Sequence, residues 1–399
     1  MIGKAARAHV VIVGGSVGGV TAADALRAAG HDGPITILSD EHRAPYVRPP
    51  LSKAVLTGAA EPDSTLMPTL GNDVVLRTGA RAVGLDPTRR LVLLTDGERV
   101  SYDALLIATG ARARRLSENP RERVLRTLDD TVALRSDLLR ARSVLIVGGG
   151  FLGMEIASSA AKLGVEVTVV DQDPHLQRQF GPDLAAYLCG LAGAAGVTLA
   201  RAAGGVELLG SGEITAVRTG VGDVLEADLV ISAVGCRPNV EWLLESAIGT
   251  AAGVLTDDRG LVRPEIGAAG DVVVGRHESG KLRRTPHWSA ALDQSRVAAT
   301  ALVRGTEAPA YEPRPFFWTE QFGAEVKIAG EIAPRAKPTE LEGSLLDANA
   351  LLQWTVDGQP VAAAIVNRKL PIGKLHALAR PARQAAAPAS PQPARSGGL

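Results

Sequence analysis

Apolar residues recur along this chain in two rhythms, and where the rhythm changes it does so in a fixed order. Val144 to Val147 is a short, β-branched run that reads as a buried strand. Leu152, Ile156, Ala160 and Leu163 then fall at helical spacing on one face. Val165 to Val170 returns to strand character and stops at Asp171. Between the first strand and the helix stands Gly148-x-Gly150-x-x-Gly153. This is a complete strand–turn–helix–strand unit with a dinucleotide fingerprint. Gly148 permits the tight turn, Gly150 lets backbone approach a pyrophosphate, and Gly153 lets helix and strand pack closely. The helix N-terminus offers unpaired N–H groups and a partial positive charge to phosphates. Asp171 is placed to accept from a ribose 2′-hydroxyl. A glycine-rich turn in another doubly wound sheet is the plainer reading of the same letters.

The order occurs a second time, nearer the start. Val10 to Val13 is followed by Gly14, Ser16 and Gly19 in fingerprint register, with serine at the second glycine position. Thr21 to Ala29 reads as a helix, and Ile35 to Leu38 as a strand ending at Ser39-Asp40-Glu41. Leu105 to Arg112 recurs loosely as Leu229 to Pro238, so the matching strand ends also repeat. Two copies of one plan imply two dinucleotides.

The remaining pattern fills in around these units. Pro45 to Leu56 cannot begin as regular helix, but Pro50 can open one, which sets Lys53 in a first turn against the helix dipole. Such a conflict suits a side chain with a job; a solvated surface lysine fits the letters too. Val74 to Asp103 reads as a small antiparallel meander and Leu125 to Ala141 as a helix. Asp183 to Ala195 reads as a helix, Val197 to Ala200 as a strand and Val206 to Val230 as a second meander. His287-Trp288 precedes a helix from Ser289 to Leu302. After Pro309 the aromatics gather, at Phe316, Phe317, Trp318 and Phe322. Val326 to Ala329, Leu351 to Val356 and Val361 to Val366 read as strands, with a helix near Lys369 to Leu378. From about Pro381 the chain is Ala, Pro, Ser, Gln and Gly and reads as a disordered tail.

Composition narrows the function classes. Lys+Arg and Asp+Glu are equal at 43 each, which gives no reason to expect nucleic acid or an acidic membrane as partner. No apolar run approaches the ~18 residues of a membrane span. The apolar run Val10 to Val13 is too short for a signal peptide. Cys189 and Cys236 are far apart, in no redox or metal spacing, so a cytoplasmic chain without a metal site is expected.

Together the motifs resemble the FAD-dependent pyridine-nucleotide reductases that feed electrons to small [2Fe–2S] ferredoxins. The chain is most similar to the putidaredoxin and rhodocoxin reductase type of bacterial haem-thiolate monooxygenase systems, and to the reductases of ring-hydroxylating dioxygenases. Apoptosis-inducing factor is a more distant likeness. The match runs from about His9 to about Leu378 through RPPLSK (Arg48 to Lys53), ATGAR (Ala108 to Arg112), GGGFLGMEIA (Gly148 to Ala157), RPN (Arg237 to Asn239) and AAGD (Ala268 to Asp271). HWSAALDQ (His287 to Gln294), FWTEQF (Phe317 to Phe322) and AIVNR (Ala364 to Arg368) complete it.

The resemblance implies an α/β fold of two Rossmann-like domains, for FAD and NAD, and a small C-terminal α+β domain. The FAD domain would be discontinuous, 8–116 and 245–308, with the NAD domain at 117–244, the C-terminal domain at 309–380 and the tail at 381–399. It implies FAD on Gly14, Ser16, Gly19, Asp40, Arg48, Lys53, Val83, Ala108, Thr109, Gly110, Arg126, Gly270, Asp271 and Trp288. NADH would meet Gly148, Gly150, Phe151, Leu152, Gly153, Glu155, Asp171 and Gly235. Lys53 would lie near flavin N5, and Lys53 with Glu155 would form an ion pair there. Glu155 as a mere helix-start acid is the alternative. Trp318 would reach the flavin edge, where core packing is the alternative, and His287 reads as structural. The expected activity is hydride uptake from NADH and single-electron delivery to a [2Fe–2S] ferredoxin. A redox-sensing flavoprotein like apoptosis-inducing factor is the competing expectation. A cysteine pair beside the flavin, as in the disulfide-reductase branch, has no counterpart before Cys189.

Overall fold

The computed structural model describes residues 8–71, 73–210, 212–276, 282–333 and 336–380. The segment 381–399, expected as a disordered tail, lies outside them.

The first nucleotide unit is built on a six-stranded sheet. Its order is Leu261–Arg263, Ile266–Ala268, Ala104–Ile107, Val10–Val13, Ile35–Leu38, Val74–Arg77. All neighbours are parallel except the first pair. Val10, Val11, Ile12 and Leu105 to Ile107 are fully buried, as expected for strands covered on both faces. Helix Val17–Ala28 begins four residues before the expected Thr21 and packs with helix Trp288–Arg304 on one side of the sheet. This sheet is therefore closed by strands that lie about 160 residues apart in the chain.

Its edge corrects one expectation. Val74–Arg77 does not belong to the antiparallel meander; it pairs in parallel with Ile35–Leu38, Val74 opposite Ile35. Backbone N–H and C=O groups of that strand need partners, and a parallel apolar neighbour outcompetes a hairpin. The meander itself is Ala82–Asp86, Leu91–Leu94 and Arg99–Ser101.

The second unit has a four-stranded parallel sheet in the order Thr198–Arg201, Glu166–Asp171, Ser143–Val147, Leu229–Ser232. Here too a meander was expected to run too far. It covers Val206–Leu209, Ala216–Thr219 and Val224–Glu226, and Leu229–Ser232 returns to the parallel sheet. Burial decides this, because Val230, Ile231 and Ser232 are all buried. Helix Gln177–Ala194 starts earlier than Asp183 and is kinked at Gly181, whose φ is 69°, before Pro182. The helix expected over Leu125 to Ala141 is Leu128–Leu138, opened by a Thr127/Asp130 capping box.

The C-terminal sheet is five-stranded and antiparallel: Phe316–Gln321, Ala324–Gly330, Gln359–Val366, Asn349–Val356, Pro338–Ser344. Helix Ile372–Leu378 packs on it. Two of these strands escaped the sequence reading. Phe316–Gln321 was hidden among aromatics, and Pro338–Ser344 is polar and largely exposed, an edge without an apolar alternation.

Candidate functional site

Both fingerprints are built on the same backbone contacts. Gly14 has φ 125°, and a Cβ there would stand 2.1 Å from the Ala108 carbonyl oxygen. A Cβ on Gly19 would stand 1.9 Å from the Gly14 oxygen. In the second unit Gly148 has φ 111° and meets the Ala233 oxygen at 2.5 Å, and Gly153 meets the Gly148 oxygen at 1.8 Å. The turn thus presses the helix against its own strand and against the next strand end, and only glycine leaves room. Gly150 has no such contact, and Ser16 and Gly150, at the middle position, cap the starts of the two helices. Neither helix carries an acid in its first turn, so both N-termini are fitted to an anion.

A cavity of about 920 Å³ opens beside the first fingerprint. Gly14, Ser16, Asp40, Arg48, Lys53, Val83, Ala108, Thr109, Gly110 and Arg126 border it. So do Phe151, Leu152, Glu155, Gly270, Asp271, Trp288 and Trp318. Seventeen predicted site residues, distant in sequence, meet around one space. Its size and a glycine cradle that a Cβ would fill fit a large dinucleotide such as FAD. Gly19, Gly148, Gly150, Gly153, Asp171 and Gly235 do not border it. Gly19 acts through packing, and the others belong to the second fingerprint or the segment after its sheet.

Arginines organise the cavity wall. Arg48 donates to Glu41 Oε1 at 2.6 Å and to the Arg126 carbonyl at 2.6 Å, and its Nε reaches Ser16 Oγ at 3.4 Å. Tyr46 donates to Glu41 Oε2 at 2.5 Å and accepts from Leu128 N–H at 3.0 Å; burial pushes its phenol up to about 12. Arg126 donates to Asp271 Oδ2 at 2.6 Å and to the Ala111 carbonyl at 2.9 Å. Sequence reading singled out Asp40 but not Glu41. Asp40 is exposed at the rim, whereas Glu41 is the acid gripped by Arg48 and Tyr46. Thr109 and Asn239 exchange hydrogen bonds of 2.8 and 2.9 Å, tying ATGAR to RPN.

Lys53 and Glu155 meet across the units. Lys53 Nζ lies 2.8 Å from Glu155 Oε2, with side chains 15% and 9% exposed. Lys53 is not in a first helical turn. It stands at φ −122°, ψ −105°, between a 3₁₀ turn at Pro49–Ser52 and a one-turn helix at Ala54–Thr57 whose N-cap it is, and a single turn carries little dipole to oppose it. Its ammonium also donates to the Pro49 carbonyl at 3.0 Å. Glu155 accepts from Ser52 Oγ at 2.5 Å and, on its other oxygen, from Thr319 Oγ1 at 2.7 Å. Nothing in the sequence signals these two hydroxyls, because the partners lie 103 and 164 residues from Glu155.

Aromatic rings close the far wall. Trp318 is half-buried and stacks on Phe316, centroids 6.1 Å apart. Phe317 packs edge-on to Phe151 at 5.0 Å and parallel to the His287 ring at 5.1 Å. Burial holds the His287 imidazole below its ordinary value, so it enters neutral pH uncharged. Helix Trp288–Arg304 opens at this wall with no acid in its first turn.

At the second fingerprint, Asp171 Oδ2 accepts from Gly149 N–H at 2.6 Å and Oδ1 from Asp173 N–H at 3.0 Å. The carboxylate therefore braces the glycine turn and keeps lone pairs for a ribose. Both cysteines are free, and Cys236 lies 3.8 Å from an Arg284 nitrogen. Among the described residues no cluster of His, Cys, Asp and Glu is arranged to hold a metal ion, and no helix is long and apolar enough to cross a membrane.

Residues 8–295 match the family described as pyridine nucleotide-disulphide oxidoreductase. The chain is 34% identical over 369 residues to the benzene 1,2-dioxygenase system ferredoxin–NAD(+) reductase subunit of Pseudomonas putida, covering 90% of this chain and 89% of that protein. It is 36% identical to the biphenyl dioxygenase system ferredoxin–NAD(+) reductase component of Paraburkholderia xenovorans strain LB400, covering 81% of each. Among solved structures, the ferredoxin reductase for the CYP199A2 system of Rhodopseudomonas palustris aligns with a TM-score of 0.83 and 31% identity, over 91% of this chain and 92% of that one. The covalent putidaredoxin reductase–putidaredoxin complex aligns with a TM-score of 0.83 and 29% identity, over 94% and 93%.

Proposed function

The chain belongs to the pyridine nucleotide-disulphide oxidoreductase family, and from that membership and the shared cavity we infer that it is an NADH-dependent, FAD-containing ferredoxin reductase. Its partner is a [2Fe–2S] ferredoxin serving a bacterial oxygenase, in the cytoplasm. One observation carries the reading: Lys53 from the first unit, Glu155 from the second and Trp318 from the C-terminal sheet border one cavity beside a dinucleotide cradle. Among the described residues lining that cavity there is no cysteine, which argues for an external one-electron acceptor over a disulfide.

The cavity residues divide the work. Gly14, Ser16 and the start of helix Val17–Ala28 receive the FAD pyrophosphate. Arg48, Arg126 and Asp271 line the wall along its length. FAD, when bound, supplies the conversion of a two-electron hydride into single electrons. Lys53 presents a fixed positive charge, held by Glu155 and the Pro49 carbonyl so that it neither swings away nor hydrates. The N-terminus of helix Trp288–Arg304 adds a second positive pole on the same cavity. Phe151 and Leu152 begin the second fingerprint helix and reach this cavity, which brings a coenzyme held by Gly148 to Gly153 up to its mouth. Trp318 on the opposite wall marks the exit toward the acceptor.

The test is spectroscopic. Purified protein should carry a flavin spectrum that NADH bleaches under anaerobic conditions. Adding a [2Fe–2S] ferredoxin should then stimulate cytochrome c reduction. Bleaching that is slow and indifferent to every ferredoxin offered would favour the redox-sensing alternative.

A further inference from the structure

Glu155 is held from three directions, and one of them has no part in the function above. Thr319 belongs to strand Phe316–Gln321 of the C-terminal sheet and donates to Glu155 Oε1 at 2.7 Å. Behind it, Gln321 Nε2 donates to Thr319 Oγ1 at 3.2 Å. All three residues are buried, Thr319 completely. The Gln321 amide occupies the acceptor side of the threonine oxygen, which turns the hydroxyl proton toward the carboxylate.

The register makes this more than a chance contact. Phe317 meets Phe151, Thr319 meets Glu155, and Phe322 N–H donates to Ser158 Oγ at 2.8 Å. Two strand residues advance about 6.8 Å and four helical residues about 6.0 Å, so Phe317 and Thr319 keep pace with Phe151 and Glu155, and Phe322, in the turn just after the strand, closes back onto helix Phe151–Lys162. Phe316 and Trp318 point to the other side of that strand, where they stack on each other.

We propose that Thr319, oriented by Gln321, is a positioning residue for the Lys53–Glu155 pair. Through it the acceptor-side sheet sets the charge that the flavin meets. Glu155 carries three donors: Ser52 and Lys53 on Oε2, Thr319 alone on Oε1. Without the Thr319 hydroxyl, Oε1 keeps a buried, uncompensated negative charge. That charge draws on the Lys53 ammonium and leaves the cavity less positive. Bound flavin then becomes harder to reduce. The inference rests on the reading that FAD occupies this cavity.

Thr319→Val keeps the shape and removes the hydroxyl; Thr319→Ser keeps the hydroxyl. In holoenzyme, Thr319→Val should slow flavin reduction at saturating NADH about tenfold, the scale of one hydrogen bond to a charged group. It should leave the apparent Kd for NADH within about twofold, a change too small to be a lost contact. The flavin midpoint potential, measured by spectroelectrochemistry, should fall, and Thr319→Ser should restore both rate and potential. Wild-type rate and potential in Thr319→Val would overturn the proposal, as would equal damage in Thr319→Ser. If Thr319→Val loses its flavin, Thr319→Ala takes its place. If neither holds flavin while Thr319→Ser does, the hydroxyl serves folding and the positioning role is rejected. Wild-type protein that binds no flavin, or whose flavin NADH does not reduce, would instead sink the reductase reading.

Discussion

Lys53 and Asp171 show how differently two charged side chains can be committed. Lys53 is nearly buried and spends its charge on one carboxylate and one carbonyl. Lys53→Ala leaves Glu155 buried without its cation, and it removes positive charge from the cavity. We expect flavin reduction by NADH to slow by about 100-fold, the order seen when one preorganised charge-stabilising group is lost, with FAD content nearly unchanged. Anaerobic stopped-flow reduction measures it; an unaltered rate would return Lys53 to a structural role. Asp171 is already doubly employed, because its oxygens accept from Gly149 and Asp173. A coenzyme 2′-phosphate would bring negative charge against that carboxylate, so kcat/KM should favour NADH over NADPH. Asp171→Ala should narrow the preference mainly by losing NADH efficiency, by about tenfold, since the glycine turn loses its brace too. A native preference for NADPH would overturn this assignment.

Elements carry the symmetry of the molecule. The two glycine turns contact their own helices and neighbouring strand ends in the same way, so equivalent substitutions should separate the two nucleotides. Gly153→Ala puts a methyl 1.8 Å from the Gly148 oxygen and should abolish NADH binding while FAD stays bound. Gly19→Ala, with its 1.9 Å clash, should yield protein without flavin. Absorbance spectra and NADH titration distinguish them; loss of both nucleotides in both variants would contradict the separation. Strand–turn–helix periodicity made these elements legible in the sequence, because fully buried strands and glycine turns leave strong local signals. Val74–Arg77, and the meander's reach into Leu229–Val230, were misplaced because a short apolar strand says nothing about its partner, whereas the repeat of the Leu105 strand end at Leu229 was right. Pro338–Ser344 left no signal, since an exposed edge strand needs no apolar face. At the site, the Lys53–Glu155 pair was readable through motif resemblance. Ser52, Thr319 and Gln321 were not, because a hydrogen bond spanning 164 residues has no period.

For the whole molecule, a neutral net charge leaves docking to local fields. Arg43, Arg48 and Arg314 add less to a basic docking face than their charges suggest, because each has an acid partner: Asp129, Glu41 and Glu312. On helix Ile372–Leu378, beside the Phe316–Trp318 stack, Lys374 is exposed. Rising ionic strength should therefore raise KM for ferredoxin while ferricyanide reduction stays flat. Lys374→Glu should raise that KM more than Arg43→Glu does. Steady-state cytochrome c assays at several salt concentrations decide it, and salt-independent ferredoxin turnover would refute the basic face.

The six-stranded sheet has a consequence in time. Ala104–Ile107 waits for Ile266–Ala268, its parallel neighbour, until the ribosome has added roughly 160 more residues, about 8–30 s at ordinary elongation rates. The four-stranded sheet, by contrast, is drawn wholly from residues 143–232 and is complete sooner. Translation should thus deliver a protease-resistant second unit while the first unit still lacks one side of its sheet. Limited proteolysis of stalled nascent chains would show it, with resistance over 143–232 appearing before resistance over 10–107; the reverse order would refute it. On the proposed placement of FAD in the first unit, with Asp271 on its wall, the cofactor should enter only after Asp271 has emerged, sealing a sheet whose two parts are made on either side of the four-stranded one.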